Sequence, residues 1–178
     1  MDQTAPLILT LQFDERSFAF FDEQRRRYFP PKRNFIPAHL TLFHHLPGEH
    51  LDNIQRDIAA RASRQQPFTL NVTSLRPLGR GVAYNLASLD LAELRRELSQ
   101  GWDEWLKPQD RQKHQPHVTV QNKVDPTQAR ALLEELTESF QPFQVTAMGL
   151  DLWWYRGGPW ELAASSHFSA RRRDSIRG

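Results

Sequence analysis

The chain has 178 residues, a net charge of +2 and no cysteine. Hydrophobic residues make up 39% and charged residues 25%, which excludes a disordered chain; the absence of cysteine excludes disulfides, thiolate nucleophiles and cysteine-held metals. The charge is uneven: setting aside Arg171, Arg172, Arg173, Arg177 and Asp174 in the last eight residues leaves 19 basic and 20 acidic residues, a body at −1. Such a body does not grip long nucleic acid through phosphates alone, but it suits a small phosphate-bearing ligand or the end of a strand. No apolar run reaches the roughly 20 residues of a membrane span, and the opening residues lack the pattern of a signal peptide. A cytoplasmic protein without membrane contact is expected.

Residues 7–13, rich in Leu and Ile, predict a strand. Residues 14–29 place Phe18, Phe21 and Tyr28 among charges and predict an amphipathic helix stopped by Pro30 and Pro31. Residues 35–45 are extended. Leu51, Ile54, Ile58 and Ala62 recur at helical spacing over 51–65, and Phe68, Leu70 and Val72 alternate in a strand over 68–75. Gly79-Arg80-Gly81 turns the chain into a strand over 82–87, and Asp90 is expected to cap a helix over 91–106. Residues 107–116 read as a loop and 117–124 as a strand. Asp125-Pro126 opens a helix, and strands over 143–155 and 160–168 meet at Gly157-Gly158.

The order strand, helix, strand, helix, strand describes 7–75 and recurs over 82–155, with one further strand. Gln66-Pro67-Phe68 is echoed by Gln141-Pro142-Phe143, and His39-Leu40-Thr41-Leu42 by His117-Val118-Thr119-Val120, in nearly the same register. This duplication predicts an α+β fold of two lobes facing each other about a pseudo-twofold axis. A single bilobal domain is expected over 1–169, with lobe-like repeats at about 7–75 and 82–168 and a flexible basic tail at 170–178.

Successive strand side chains point to opposite faces. Leu40, Leu42, Val118 and Val120 then face the helices, while His39, Thr41, His117 and Thr119 face the space between the lobes. Two imidazoles and two hydroxyls converge there. Hydrolysing a phosphodiester needs a base to activate water and an acid to protonate the departing oxygen. Imidazole, with an ordinary pKa of about 6.5, serves either role near neutrality. The threonines can donate to the non-bridging phosphoryl oxygens.

The paired His-x-Thr-x motifs in a duplicated chain of this length resemble the two-histidine (2H) phosphoesterase superfamily, which includes the bacterial 2'-5' RNA ligase family and cyclic phosphodiesterases. The resemblance spans about residues 7–168 and matches at His39, Thr41, His117 and Thr119. It implies two antiparallel sheets around a central cleft with helices outside. It also implies metal-independent hydrolysis of a cyclic phosphate on ribose or, in some members, reversible joining of RNA ends through a 2'-5' bond. No metal or organic cofactor and no obligatory protein partner are implied; the partners are RNA ends or cyclic nucleotides. A binding module that keeps the cleft without turnover is the non-enzymatic alternative.

Other residues invite roles. Phe43 and Gln121 continue the cleft-facing phase and are candidate contacts for a base or ribose. Tyr155 and Arg156, among Trp153, Trp154 and Trp160, are candidates for stacking and phosphate pairing. Lys113 and His114 precede the second motif and could steer a phosphate. His44, His45, Glu49 and His50 carry metal-binding chemistry, but their spacing matches no metal motif, and a solvated loop is expected.

Overall fold

In a computed structural model, the structure describes residues 4–171. The basic tail expected at 170–178 falls, from residue 172 onward, outside the described residues.

Seven strands form one antiparallel sheet: β1 (Leu7–Phe13), β2 (Thr41–Leu46), β3 (Phe68–Pro77), β4 (Val82–Ala87), β5 (His117–Gln121), β6 (Phe143–Trp154) and β7 (Glu161–His167). The helices are α1 (Glu15–Tyr28), α2 (Leu51–Ser63), α3 (Leu89–Gly101), a single turn α4 (Pro108–Arg111) and α5 (Pro126–Ser139). The sheet order is β2-β1-β6-β3-β4-β5, with β7 also paired to β6. This order is palindromic with respect to the sequence repeat. The third strand of each half, β3 or β6, stands at the centre, and the motif strands β2 and β5 are the two edges. Each third strand therefore continues the wing built from the other half. A wing is not one contiguous stretch of chain, and the two expected sheets are hydrogen-bonded into one through β6. At Ala147, β6 pairs with Phe13 of β1 on one side and Phe68 of β3 on the other. The curled sheet brings its two edges together, while α1 lies against β5 and β1, α5 against β3 and β4, and α2 against β7 and β6.

Capping chemistry sets the helix starts. Asp14 accepts from the Ser17 amide and Asp125 from the Gln128 amide, each at 3.0 Å. The third helix starts earlier than expected because Ser88, not Asp90, is its cap and accepts from the Leu91 amide at 3.1 Å. The loop expected at 107–116 contains α4, with Pro108 in its first turn. The strand expected to reach residue 124 ends at Gln121. Lys123, at φ 63, is the only non-glycine residue with positive φ among the described residues and turns the backbone out of the sheet. At the start of β4, a Cβ on Gly81 would lie 1.9 Å from the Gln121 carbonyl oxygen, so only glycine lets β4 meet β5 there.

The core follows the alternation read from the motifs: Leu40, Leu42, Val118 and Val120 are fully buried. Their burial fixes strand register, because a one-residue slip would drive the histidines into the core. No helix among the described residues is long and apolar enough to cross a membrane.

Candidate active site

His39, Thr41, His117 and Thr119 line one pocket of about 150 Å³, together with His44, Ile8 and Trp160. The two motif histidines are held in the same way. Nδ1 of His39 lies 2.9 Å from the Pro37 carbonyl oxygen, and Nδ1 of His117 lies 2.8 Å from that of Gln115. A carbonyl only accepts, so each Nδ1 carries the hydrogen and Nε2 is the nitrogen left to meet a ligand. The Trp160 ring lies 4.7 Å from the His39 ring and closes one side of the pocket.

The third histidine enters through a break in the alternation. The β1–β2 register shifts between Leu9 and Thr10 and again between Leu7 and Leu9, with an extra residue in β2 each time. Phe43, expected to face the cleft, is turned inward. It is fully buried, with Trp102 at 5.2 Å and the Arg95 guanidinium 4.6 Å over its ring. His44 takes its place at the pocket. Asp110 of α4, 1% exposed, holds this bulge: it accepts from the amides of His44 at 2.8 Å and His45 at 2.9 Å, and lies 3.1 Å from His44 Nδ1. Arg95 donates to the carbonyls of Leu42 and Asp110 at 2.9 Å each and ties the same corner to α3.

Two side chains cross-brace the motif strands. Arg25 of α1, 5% exposed, donates to the Thr119 carbonyl at 3.1 Å and to Asn34 Oδ1 at 2.9 Å. Asp22, one turn earlier, accepts from the Ala38 amide at 3.0 Å, next to His39. In the opposite sense, Nε2 of His114 donates to the Thr41 carbonyl at 2.8 Å. The backbone of each motif threonine is thus bound by a side chain from the other half of the sequence.

The pocket disfavours positive charge. Burial pushes His39 down to about 4, with the charges of Arg25, His117 and His44 adding to it and the Pro37 carbonyl opposing. Burial also lowers His117, with Arg76 and His44 adding. His114 is pushed to about 4 by burial, Arg95, His44 and His117, against its hydrogen bond to Thr41.

The remaining sequence candidates disperse. Gln121 is 3% exposed and its Oε1 has no hydrogen-bond partner, but the side chain does not line the pocket. Tyr155 stands at the rim of a neighbouring groove. Arg156 is ion-paired with Glu161, lies over the Trp154 ring and lines neither the pocket nor that groove. The His44–His50 cluster separates: His44 goes to Asp110, while His50 stacks on Trp105 at 4.4 Å. No group of three or more His, Asp or Glu side chains among the described residues could hold a metal ion. Arg25 and Asp110 carried no signal in the sequence, since Arg25 sits among the charges of the helix expected over 14–29 and Asp110 in the polar loop expected over 107–116.

Comparison with known proteins places this arrangement. No curated protein matches the chain. Among solved structures, TT0787 of Thermus thermophilus superposes with a TM-score of 0.67 at 16% identity, covering 93% of this chain and 99% of that one. E. coli LigT complexed with 3'-AMP superposes with a TM-score of 0.56 at 19% identity, covering 93% and 98%. These likenesses show a shared α+β fold with a curled antiparallel sheet. The family model described as the 2'-5' RNA ligase superfamily matches residues 13–159, so the chain belongs to that superfamily.

Proposed function

We propose that this protein is a phosphoesterase that opens a 2',3'-cyclic phosphate, or a related phosphodiester, at an RNA end or on a nucleotide. One observation carries the reading. Two imidazoles, each with Nδ1–H fixed to a carbonyl two residues upstream, share a 150 Å³ pocket with two threonines. E. coli LigT has been solved with 3'-AMP and with phosphate, which supports a phosphate-bearing ligand for this fold.

His39, pushed down to about 4, is neutral at pH 7 and suits the base. Its Nε2 takes a proton from water as the water oxygen bonds to phosphorus. The bond from phosphorus to one ribose oxygen breaks, and His117 Nε2–H protonates that oxygen. Thr41 and Thr119 donate to the non-bridging oxygens. A proton enters at one ring and leaves from the other, so water exchange must reset the pair.

The test is turnover of nucleoside 2',3'-cyclic phosphates in EDTA by the wild-type protein and by His39→Ala and His117→Ala. Loss of about 10²–10⁴-fold in kcat for each variant is expected, the usual contribution of a positioned acid or base. Turnover that survives either substitution refutes the pairing. Turnover only with paired RNA ends, where a 5'-hydroxyl replaces water, identifies a ligase; tight binding without turnover identifies a binding module.

A further inference from the structure

A groove of about 500 Å³ opens beside the histidine pocket and shares His39 and Trp160 with it. Four aromatic side chains line it: Phe18, Phe35, Trp153 and Trp160. His39, Trp160 and Trp153 stand in a row, with ring centroids 4.7 and 6.3 Å apart and planes tilted by 58° and 51°. Rings tilted in this way form a corner. They offer no parallel pair to sandwich a flat base, but a rounded group can touch both at once. Nε1 of Trp153 donates to Thr10 Oγ1 at 2.9 Å, so this indole has its face rather than its N–H left for a ligand.

The groove is also acidic. Glu15 and Asp151 line it, and no Lys or Arg among the described residues does. Asp151 stands inside the sheet, paired with Thr10 of β1 and Ser165 of β7, and lines the same groove as Trp153 two residues on. Its Oδ1 accepts from the Ser165 hydroxyl at 2.6 Å. Neither carboxylate forms an ion pair among the described residues. His39 is neutral at pH 7 and does not repel a cation. An uncharged ligand would leave both carboxylates without a counter-charge, and a phosphate would be repelled. Two carboxylates are too few for a bare metal ion, and no group of three or more His, Asp or Glu among the described residues could hold one. An organic cation satisfies the rings and the carboxylates together, as in the aromatic cages that bind quaternary ammonium groups. Resting on the proposed phosphoesterase reading, we infer that the substrates include phosphodiesters of a quaternary amino alcohol such as choline, with the phosphate between the histidines and the trimethylammonium group in the groove beyond His39. In such an ester only two carbons separate the ester oxygen from the nitrogen, which suits a groove that begins at the wall of the phosphate pocket. Water activated by His39 bonds to phosphorus, the phosphorus–oxygen bond to the other alcohol breaks, and that oxygen takes the proton of His117. The products are choline phosphate and the free alcohol.

The test compares glycerophosphocholine with its uncharged isostere, in which a carbon replaces the quaternary nitrogen. The two ligands differ in charge and hardly in shape. Titration calorimetry on His117→Ala protein, which lacks the proposed acid, should show the choline ester bound about tenfold tighter, the scale of a desolvated cation–π contact. Glu15→Gln with Asp151→Asn in the same background should cut this preference about fivefold, as expected for two partly exposed ion pairs. The charge-matched pair Glu134→Gln with Glu138→Gln, exposed on α5, should keep it. Wild-type protein in EDTA should release choline phosphate, read by phosphorus NMR. Phosphatidylcholine vesicles assayed in parallel separate a lipid headgroup from a free diester, and turnover of either upholds the inference. Equal affinity for the choline ester and its isostere overturns the cation site. Equal losses in the two double variants also overturn it, since they would reflect net charge alone. Release of free choline overturns its placement beyond His39. If nucleoside 2',3'-cyclic phosphates are turned over and neither choline ester is, the substrate class falls and the phosphoesterase reading stands. If nothing is turned over but the affinity difference persists, the phosphoesterase reading fails and the cation site stands.

Discussion

Asp110→Asn probes the joint between fold and site. Asp110 is buried and accepts two backbone amides and the ring N–H of His44. Burial pushes its carboxyl up, but the hydrogen bonds from His44 and His45 outweigh this and hold it below its ordinary value. Asparagine keeps one oxygen and turns an NH₂ group toward a donor. The loss is one charge-assisted acceptor and one satisfied amide, together about 3 kcal/mol. For a chain of this size that is a fall in Tm of about 6–12 °C. The sign of the pH dependence follows from the lowered carboxyl. Its stabilisation is complete above the unfolded pKa of about 3.9 and is lost as pH falls through the folded value. The gap between wild type and variant in urea denaturation should therefore be full at pH 7 and shrink only below about pH 4. Hydrogen exchange should also quicken at the His44 and His45 amides. A variant within 0.5 kcal/mol of wild type at pH 7 would remove Asp110 as the holder of the bulge.

Arg25→Lys keeps the charge and loses the fork that reaches both Thr119 and Asn34. It should lower stability by about 1.5–3 kcal/mol in urea melts and reduce kcat about tenfold; unchanged kcat would assign Arg25 to the field of the pocket alone. His39, His114 and His117 are all lowered in the folded state, so the unfolded chain binds more protons below pH 6.5. Stability should be complete above about pH 6.5 and fall down to about pH 4. His114→Gln, which keeps a donor for the Thr41 carbonyl, should flatten that slope in melts at pH 7, 6, 5 and 4. A wild-type curve already flat over this range contradicts the shared direction.

Much of this arrangement is legible in the residues because it is periodic or local. The alternation at 39–42 and 117–120 places the core and the pocket on opposite faces, and the repeat predicts that the two motifs meet. What periodicity misses comes from long-range events. The bulges that bury Phe43 and present His44 depend on Asp110, 66 residues away from His44, and no pattern within β2 announces them. Exchange of the third strands is equally silent, because β3 and β6 read alike whichever wing they join. Ser88 overrides Asp90 as a cap because both are good cap residues and the preference between them is small.

The pocket poses a last problem, because the proposed acid needs a proton that the site resists. His39 at about 4 and a lowered His117 leave both rings neutral at pH 7. The threonine hydroxyls bring no charge. The proton must therefore arrive with the ligand: an anion between the rings favours their charged form and reverses the effect of burial. Binding of inorganic sulfate, which does not titrate in this range, should draw in close to one proton at pH 7 and fewer toward pH 5. Titration calorimetry in buffers of different ionisation enthalpy reads this directly, since the observed heat changes in proportion to the protons taken up. His117→Ala should abolish most of the uptake. Sulfate that binds in the pocket with no proton exchange at pH 7 would leave the acid unprotonated in the complex, and two-histidine catalysis would then require a proton donor outside this pair.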